Sequence, residues 1–348
     1  MAAADEVILS CGAYRYRVET GWAQLPAGWQ LGDVSSVAVD ARDQVYVFSR
    51  GEHPVMVFDR DGGFVHAWGE GWFRRAHGIQ VGHDGAIYLV DDHAHVVRKC
   101  SPDGRILLEI GTAGSAAPYM SGTPFNRCTR TALSPQGDIY VADGYGNARV
   151  HKYAPNGTLL RSWGEPGCDP GQFQIVHDIA CDADGFVYVA DRENHRIQVF
   201  DGDGGFRTAW YGLHRPCGLT IAGRAAAGAV AGMEAGTEAS AAAGAAEPLT
   251  EPLLYVTEIG PATPTTRNIP NLGPRLSIVG RGGRILARLG DVRAGPAAHQ
   301  FIAPHGVAVD SRGDLYVGEC ASTDWPRLFR GEPQPERLIT LRKLVRLH

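Results

Sequence analysis

The sequence lacks paired cysteines and long apolar runs. Its seven cysteines are odd in number, scattered and without a C-x-x-C pair, which fits reduced thiols better than a disulfide framework or a thiolate zinc site. No stretch reaches the roughly eighteen apolar residues that a membrane span requires, and the first residues lack a basic segment followed by an apolar one. These absences predict a cytoplasmic protein with no membrane partner.

A strong charge imbalance is also absent. Lys+Arg number 33 against 38 Asp+Glu, which gives a net charge of −5, so nucleic acid is not expected as a partner. Glycine and proline are abundant instead, at 45 and 21 residues, and the chain is 44% hydrophobic. This composition predicts a folded chain with many short strands joined by tight turns.

One unit recurs along the chain, and its clearest copy is IVHDIACDADGFVYVADRENHRIQVFDGDGGF at residues 175–206. Each copy contains alternating runs separated by Asp/Gly turns, which predicts four antiparallel strands. The copies align on a repeated tyrosine, found at Tyr46, Tyr88, Tyr140, Tyr188, Tyr255 and Tyr316. Six such units predict an all-β fold, a six-bladed β-propeller, with these tyrosines in its core.

The whole chain, residues 1–348, is predicted to form this single propeller domain. Segments 14–22 and 337–347 lie outside the repeats but alternate like strands, so both are expected to complete the terminal blade and close the ring. The Ala/Gly-rich run 225–248 interrupts the fifth unit inside a hairpin. Because it has little to bury, it is predicted to be a flexible surface loop.

The residue eleven positions before each repeated tyrosine begins the strand that should line the central channel. Around the ring, with the fifth unit matched through CGL, these channel residues are Ser35, His77, Thr129, His177, Cys217 and His305. Histidine occurs in alternate units, so three imidazoles should converge on the channel axis. Three neutral imidazoles with an open fourth position are typical of catalytic zinc. Iron or cobalt would satisfy the same ligands.

Further polar residues should lie on the same face as the histidines, where the second strand of each unit ends. Arg50 and Arg192 occupy this point in opposite blades, and Tyr145 follows it between two glycines in the third unit. We expect all three at the mouth of the channel, although Arg192 could instead serve only as a partner of Glu193 or Asp191. The aspartates at the same point are expected to accept backbone hydrogen bonds; they are Asp91, Asp143 and Asp191.

At these residues the sequence resembles NHL-repeat propellers, and more narrowly the peptidyl-α-hydroxyglycine α-amidating lyases. That family's RGDH, PHGL, DGYxNSR, PHS, ADREN and MPHD elements are similar to residues 50–53, 76–79, 143–149, 176–178, 190–194 and 303–306. The resemblance implies a six-bladed propeller with one zinc ion. It also implies zinc ligands and catalytic residues, namely His77, His177 and His305 for zinc and Tyr145, Arg50 and Arg192 for catalysis.

The sequence departs from that family at several positions. Ala303 stands where the family has methionine, and Gly146 stands where it has a cysteine that forms a disulfide. The family's aspartate after the last histidine is Gly306 here. That aspartate helps to bind a structural calcium, whose other ligands would be the carbonyls of Val37 and Ile79, so calcium binding is left open.

The resemblance implies a zinc-dependent lyase that splits a carbinolamide, such as an N-acyl-α-hydroxyglycine, into an amide and an aldehyde or glyoxylate. In this hypothesis Tyr145 is the base, Arg50 supports Tyr145, and Arg192 pairs with a substrate carboxylate. The substrate would be a small molecule or short peptide. One alternative is a metal-dependent hydrolase of an ester, lactone or amide, and another is a binding propeller without catalysis. The sequence does not indicate an oligomeric state.

Overall fold

The computed structural model describes residues 6–222, 252–261 and 263–347. Run 225–248, predicted to be a flexible insertion, lies outside the described residues. The described part of the chain is almost entirely β structure and forms six sheets. The predicted fold, a six-bladed β-propeller with antiparallel blades, is confirmed. No helix in the described ranges is long and apolar enough to cross a membrane.

The strands follow one another blade by blade along the chain. The N-terminal segment forms β1 (Ile8–Cys11) and β2 (Tyr14–Glu19). Blade 1 contains β3 (Val34–Val39), β4 (Val45–Ser49), β5 (Val55–Phe58) and β6 (Phe64–Trp68). Blade 2 contains β7 (Ala76–Val81), β8 (Ile87–Asp91), β9 (Val96–Cys100) and β10 (Ile106–Gly111). Blade 3 contains β11 (Cys128–Leu133), β12 (Ile139–Asp143), β13 (Arg149–Tyr153) and β14 (Leu159–Trp163).

The second half repeats this order. Blade 4 contains β15 (Val176–Cys181), β16 (Val187–Asp191), a 3₁₀ turn (Arg192–Asn194), β17 (Arg196–Phe200) and β18 (Phe206–Trp210). Blade 5 contains β19 (Pro216–Ile221), β20 (Leu254–Glu258), β21 (Arg275–Val279) and β22 (Ile285–Leu289). Blade 6 contains β23 (Pro304–Val309), β24 (Leu315–Glu319), helix α1 (Ala321–Leu328) and β25 (Leu341–Leu347).

The two ends of the described chain meet in blade 6. Strand β2 pairs antiparallel with β25, with Tyr16 opposite Arg346. The sheet has the order β1-β2-β25-β24-β23, whereas the other five sheets have four strands each. Joining both ends in one sheet closes the ring and removes an open edge between its first and last blades. Strand β1 is an additional outer strand that the sequence pattern did not indicate.

Helix α1 was not predicted. It is short and contains Pro326, so its own sequence gives little helical signal. Contacts from outside the helix stabilise it. Trp325 is 5% exposed and packs in an apolar cluster with Cys217 and Ile302. The carboxylate of Asp33, which precedes β3, accepts hydrogen bonds from the backbone N–H groups of residues 322 and 323 at 2.8 and 2.9 Å, which are donors without partners inside the helix.

The core consists of apolar layers between neighbouring blades. The layer between blades 3 and 4 includes Tyr140, Trp163, Phe173 and Phe200. All six repeated tyrosines are buried, with exposed fractions from 0% to 6%, which confirms their predicted place in the core. Each blade therefore buries its apolar faces only against its neighbours, and the closed ring stabilises every unit.

The innermost strand of each blade has one bulge relative to its hairpin partner. In blade 2, Ala76 pairs with Asp91 and Gly78 pairs with Val90, so His77 is the extra residue. The same irregularity in the other blades falls at Ser35, Thr129, His177, 217–218 and His305. Bulges re-aim side chains. Here they occur at all six channel residues, and therefore set the position of the candidate site.

Candidate metal centre in the central channel

Three histidines from alternate blades meet in the channel. His77, His177 and His305 are 2%, 2% and 5% exposed. One ring nitrogen from each lies within 4.8 Å of one from each of the others, and their ring centroids are 4.9 to 5.1 Å apart. The three imidazoles that the repeat phase singled out are thus brought together by the fold.

The other ring nitrogen of each histidine is bonded to backbone. His77 Nδ1 lies 2.8 Å from the carbonyl oxygen of Thr129, and His177 Nδ1 lies 2.8 Å from that of Cys217. His305 Nδ1 lies 2.7 Å from the carbonyl oxygen of Ser35. A carbonyl can only accept, so each Nδ1 carries the proton and each Nε2 presents its lone pair. The six channel residues thus alternate between imidazoles and the carbonyls that orient them, an arrangement typical of metal-ligating histidines.

The environment keeps these imidazoles neutral. Burial lowers the pKa of all three histidines well below the usual value, and positive charge nearby adds to the effect. For His77 the next causes are the other two histidines, for His177 the guanidinium of Arg192, and for His305 that of Arg50. Neutral imidazole is the form that binds metal.

Tyr145 extends from the loop after β12 into this cluster. Its hydroxyl oxygen is 3.1 Å from His77 Nε2 and 2.9 Å from His177 Nε2. The glycines on either side leave no room for a side chain, because a Cβ at Gly144 would overlap the backbone of Val176. The loop is therefore packed closely enough to fix the phenol. Burial raises the pKa of Tyr145, while the charge of Arg192 acts in the opposite direction.

Arg50 follows β4 at the mouth of the channel, the end where Arg192 follows β16. Its Nε donates to the carbonyl oxygen of Ala76 at 3.2 Å, and its Nη1 donates to Oγ1 of Thr323 in helix α1 at 3.3 Å. Its Nη2 is buried without a hydrogen-bond partner among the described residues. An unpaired guanidinium nitrogen is costly to bury, so this atom is available for an anionic or carbonyl oxygen.

Arg192 lies above the tyrosine ring. Its guanidinium carbon is 5.5 Å from the ring centroid of Tyr145, and its Nε donates to Glu193 at 2.9 Å. Glu193 also accepts bonds from Arg215 at 2.8 to 3.2 Å. Burial raises the pKa of Glu193, but the bonds from Arg215 and the charge of Arg192 outweigh it and bring the pKa to about 2. Arg192 therefore has its acidic partner and still faces the phenol.

Three arginines at the mouth were missed. Arg75, Arg127 and Arg215 lie two residues before the channel residue in blades 2, 3 and 5, so the same alignment would have found them. The guanidinium carbon of Arg127 is 4.7 Å from the ring centroid of Tyr145. Arg75 and Arg127 share the buried carboxylate of Asp92, at 3.3 and 2.8 Å. Five of the six blades thus place an arginine at the mouth, and four of these arginines share two carboxylates, those of Asp92 and Glu193.

The aspartates that end the second strands are structural, as predicted. Asp91 accepts backbone bonds from residues 74 and 75 at 2.7 and 3.1 Å. Asp143 accepts one from Asn126 at 3.0 Å, and Asp191 accepts one from Gln174 at 2.7 Å. These bonds join each blade to the segment that enters it and hold the mouth together.

A calcium ion does not fit where the resemblance would place it. A Cβ on Gly306 would lie 2.7 Å from the Cα of Ser36, so no carboxylate side chain can be accommodated there. The carbonyl oxygen of Ile79 is 3.4 Å from the hydroxyl of Ser36, which itself contacts the guanidinium of Arg130. A fixed cation already occupies this part of the channel, and it would repel Ca²⁺.

Comparisons with known proteins agree with the repeats and the fold. The NHL repeat family matches residues 125–153 and 173–200. NHL repeat-containing protein 3 of Homo sapiens is 33% identical over 214 residues, a match that covers 58% of this chain and 60% of that protein. Peptidyl-alpha-hydroxyglycine alpha-amidating lyase 1 of Drosophila melanogaster is 32% identical over 154 residues, covering 41% of this chain and 28% of that protein. The chain therefore matches less than two thirds of the length of either relative.

A solved structure of a streptogramin B lyase superimposes with a TM-score of 0.55 at 13% identity, over 95% of this chain and 98% of that one. At this identity the likeness establishes the fold alone. The NHL repeat matches, in contrast, cover the segments that carry Tyr145 and His177. The sheet topology shows a six-bladed β-propeller, NHL repeats match parts of blades 3 and 4, and the sequence matches show homology to the amidating lyases.

Proposed function

We propose that this protein is a zinc-dependent carbon–nitrogen lyase that cleaves a carbinolamide to an amide and an aldehyde or glyoxylate. The observation that carries the proposal is the position of Tyr145, whose hydroxyl lies within hydrogen-bond distance of two of the three converging Nε2 atoms. A purely structural propeller has no need for three neutral imidazoles and a phenol buried at one point. Perturbed titratable groups gathered in a channel are typical of catalytic sites.

The donor set fits a zinc ion. His77, His177 and His305 would hold it through Nε2, because each Nδ1 is already bonded to a carbonyl. Three protein ligands leave coordination open for substrate, as catalytic zinc requires. Zinc bound there would supply Lewis acidity toward the substrate hydroxyl.

Tyr145 is the proposed base. Its phenol is held among cations, since Arg192 and Arg127 lie 5.5 and 4.7 Å from its ring centroid. Positive charge favours phenolate and opposes the effect of burial on the pKa of this side chain. The close packing of the flanking glycine Gly144 against Val176 fixes the loop that carries Tyr145, so little reorganisation accompanies proton transfer.

The proposed reaction conserves atoms and electrons without water. In R-CO-NH-CH(OH)-R′, Tyr145 takes the hydroxyl proton, the C–O bond gains double-bond character, and the C–N bond breaks. The bonding pair leaves with nitrogen, which accepts the proton back from Tyr145. The products are R-CO-NH₂ and OHC-R′. One residue thus acts first as base and then as acid.

Arg50 and Arg192 would stabilise negative charge on the substrate. Arg50 offers an unpaired, buried Nη2 and would stabilise charge that develops on the substrate oxygen. Arg192 is oriented through Nε by Glu193, which leaves its Nη groups for a substrate carboxylate. An anionic substrate, such as an N-acyl-α-hydroxyglycine, suits a mouth with arginines from five blades.

The test combines metal analysis with product analysis. Purified protein should contain one equivalent of zinc and should release glyoxylate and the amide from N-benzoyl-α-hydroxyglycine, with no ¹⁸O from labelled water in the amide. Incorporation of ¹⁸O into a carboxylic acid product would assign hydrolysis instead. Protein that binds no zinc after reconstitution and releases no aldehyde would overturn the proposal and leave a binding propeller.

A further inference from the structure

A second layer of residues lies one position beyond the channel residues. Its six members are Ser36, Gly78, Arg130, Asp178, Gly218 and Gly306. Arg130 and Asp178, from blades 3 and 4, are 7% and 2% exposed and form a bidentate ion pair. Arg130 Nε is 3.0 and 2.9 Å from the two carboxylate oxygens of Asp178, and Nη2 is 2.9 Å from Oδ2.

The three glycines let neighbouring blades approach closely, and Gly78 also leaves room for Arg130. A Cβ on Gly78 would lie 3.0 Å from Cδ of Arg130 and 2.6 Å from the carbonyl oxygen of Thr129. A Cβ on Gly218 would lie 2.4 Å from the carbonyl oxygen of His305. The guanidinium of Arg130 passes Gly78 and crosses the channel from blade 3 to reach Ser36 in blade 1.

The ion pair is connected to two of the carbonyls that orient the histidines. Arg130 follows Thr129, whose carbonyl accepts from His77. Asp178 follows His177 and accepts a bond from the N–H of Leu219 at 3.0 Å, two residues beyond Cys217, whose carbonyl accepts from His177.

The third connection runs through Ser36. Its hydroxyl contacts Nη1 of Arg130, and it follows Ser35, whose carbonyl accepts from His305. The same hydroxyl accepts the N–H of Ile79 at 3.1 Å, in the strand that carries His77. The guanidinium of Arg130 therefore links, directly or through Asp178, the three strands whose carbonyls accept hydrogen bonds from the histidines.

We infer that the guanidinium of Arg130 is a built-in cation that replaces a structural calcium in this channel and acts as a positioning residue for the three histidines. The first part depends only on the ion pair and the glycines. The second part rests on the proposed zinc site. Buried charges that are paired and hydrogen-bonded fix one arrangement of the strands, whereas removal of one partner leaves the other charge uncompensated.

The calcium part is tested on metal-stripped protein. Thermal unfolding is recorded with and without saturating CaCl₂, and the Tm is expected to be the same in both because Arg130 occupies the layer. A ligand that binds only the folded state must raise the Tm. A rise in Tm that saturates with calcium would overturn this part, whatever zinc binding shows.

The positioning part is tested with Arg130→Met, Arg130→Lys and the double variant Arg130→Met/Asp178→Asn. Arg130→Met should lower the Tm by roughly 5 °C and weaken zinc binding about 10- to 100-fold, with an altered cobalt(II) absorption spectrum. Arg130→Lys should recover part of both losses. The double variant removes both charges, so it keeps the protein folded if the single variant does not, and its zinc affinity should stay low.

Arg275→Met is the matched control. It breaks another buried ion pair, to Glu258 at 2.8 Å, that does not contact the three histidines or their acceptor carbonyls. It should lower the Tm without changing zinc affinity or the cobalt spectrum. Folded Arg130 variants with wild-type zinc affinity and spectrum would overturn the positioning role. A wild-type protein that binds no zinc would instead refute the proposed function and leave the calcium result standing.

Discussion

Tyr145 and His177 lie in adjacent blades, and the phenol oxygen of the first is 2.9 Å from Nε2 of the second. The chain reaches this contact from two separate bulged hairpins, those of β11–β12 and β15–β16. The tyrosine sits after the outer strand of one hairpin and the histidine at the bulge of the next. Their contact therefore depends on how two blades pack, and it joins the proposed base to the proposed metal centre.

Replacement of Tyr145 by phenylalanine removes the hydroxyl and leaves the ring in place. We expect kcat for carbinolamide cleavage to fall about 10²- to 10⁴-fold, the usual contribution of a general base, while zinc content stays at the wild-type level. Steady-state release of glyoxylate and elemental analysis on the same preparations measure the two quantities.

Tyr119→Phe is the control for this substitution, because Tyr119 is 74% exposed and should tolerate the loss of its hydroxyl without effect. A Tyr145→Phe protein with wild-type kcat would assign proton transfer to another group. Loss of zinc in this variant would instead mean that the phenol supports the metal site itself.

The sequence was sufficient to predict the ring and the histidines because both follow from the repeat. In five of the six units the bulge lies eleven residues before the buried tyrosine, so His77, His177 and His305 could be aligned without coordinates. Arg50 and Arg192 could be aligned in the same way, since each directly follows the second strand of its blade, β4 or β16. Local periodicity and the symmetry of the blades were the only information required.

Contacts that break the symmetry could not be predicted in this way. Helix α1 has no counterpart among the described residues of the other blades, yet Oγ1 of its Thr323 accepts a hydrogen bond from Arg50. Arg130 meets Ser36 across the channel, 94 residues away in the chain. The repeat gives the position of each residue in its own blade, but it does not show which side chains from different blades meet in the channel.

Substitution of His177 by alanine should abolish stoichiometric zinc. Loss of one of three neutral ligands leaves two, which is fewer than catalytic zinc sites use. We expect the zinc content to drop from one equivalent to below about 0.1 after dialysis, with a cobalt(II) spectrum that no longer shows ordered coordination.

His299→Ala is the matched control, because the side chain of His299 is 51% exposed at the surface. It should keep one equivalent of zinc. Equal zinc in both variants would show that the metal binds away from the channel and that the three imidazoles have another role.

Substitution of Arg192 by glutamine should impair substrates that carry a carboxylate more than those that do not. A charge-assisted hydrogen bond contributes about 1.5–3 kcal/mol, so kcat/KM for an N-acyl-α-hydroxyglycine should fall on the order of 10- to 100-fold. The methyl ester of the same compound should lose much less. Arg161→Gln, in exposed strand β14, serves as control. Equal losses for acid and ester would assign Arg192 to Tyr145 alone.

Glu193 makes stability depend on pH in a defined window. Bonds from Arg215 and the charge of Arg192 outweigh burial and bring its pKa to about 2, against an ordinary value of 4.5. Because the folded state favours the carboxylate, this stabilisation is fully present above about pH 4.5 and is lost as the pH falls toward 2. The shift corresponds to about 3 kcal/mol.

Urea unfolding of the wild type and of Glu193→Gln measures this contribution. The wild type should be more stable by about 3 kcal/mol near pH 6.5, and the difference should shrink steadily below about pH 4.5. The difference in unfolding free energy between the wild type and Arg215→Met should shrink over the same pH range, since this variant removes the other half of the pair. A difference between wild type and Glu193→Gln that stays constant as the pH falls would mean that the carboxylate is not held ionised by the two arginines. In that case the orientation of Arg192 above Tyr145 would have to come from the phenol ring rather than from Glu193.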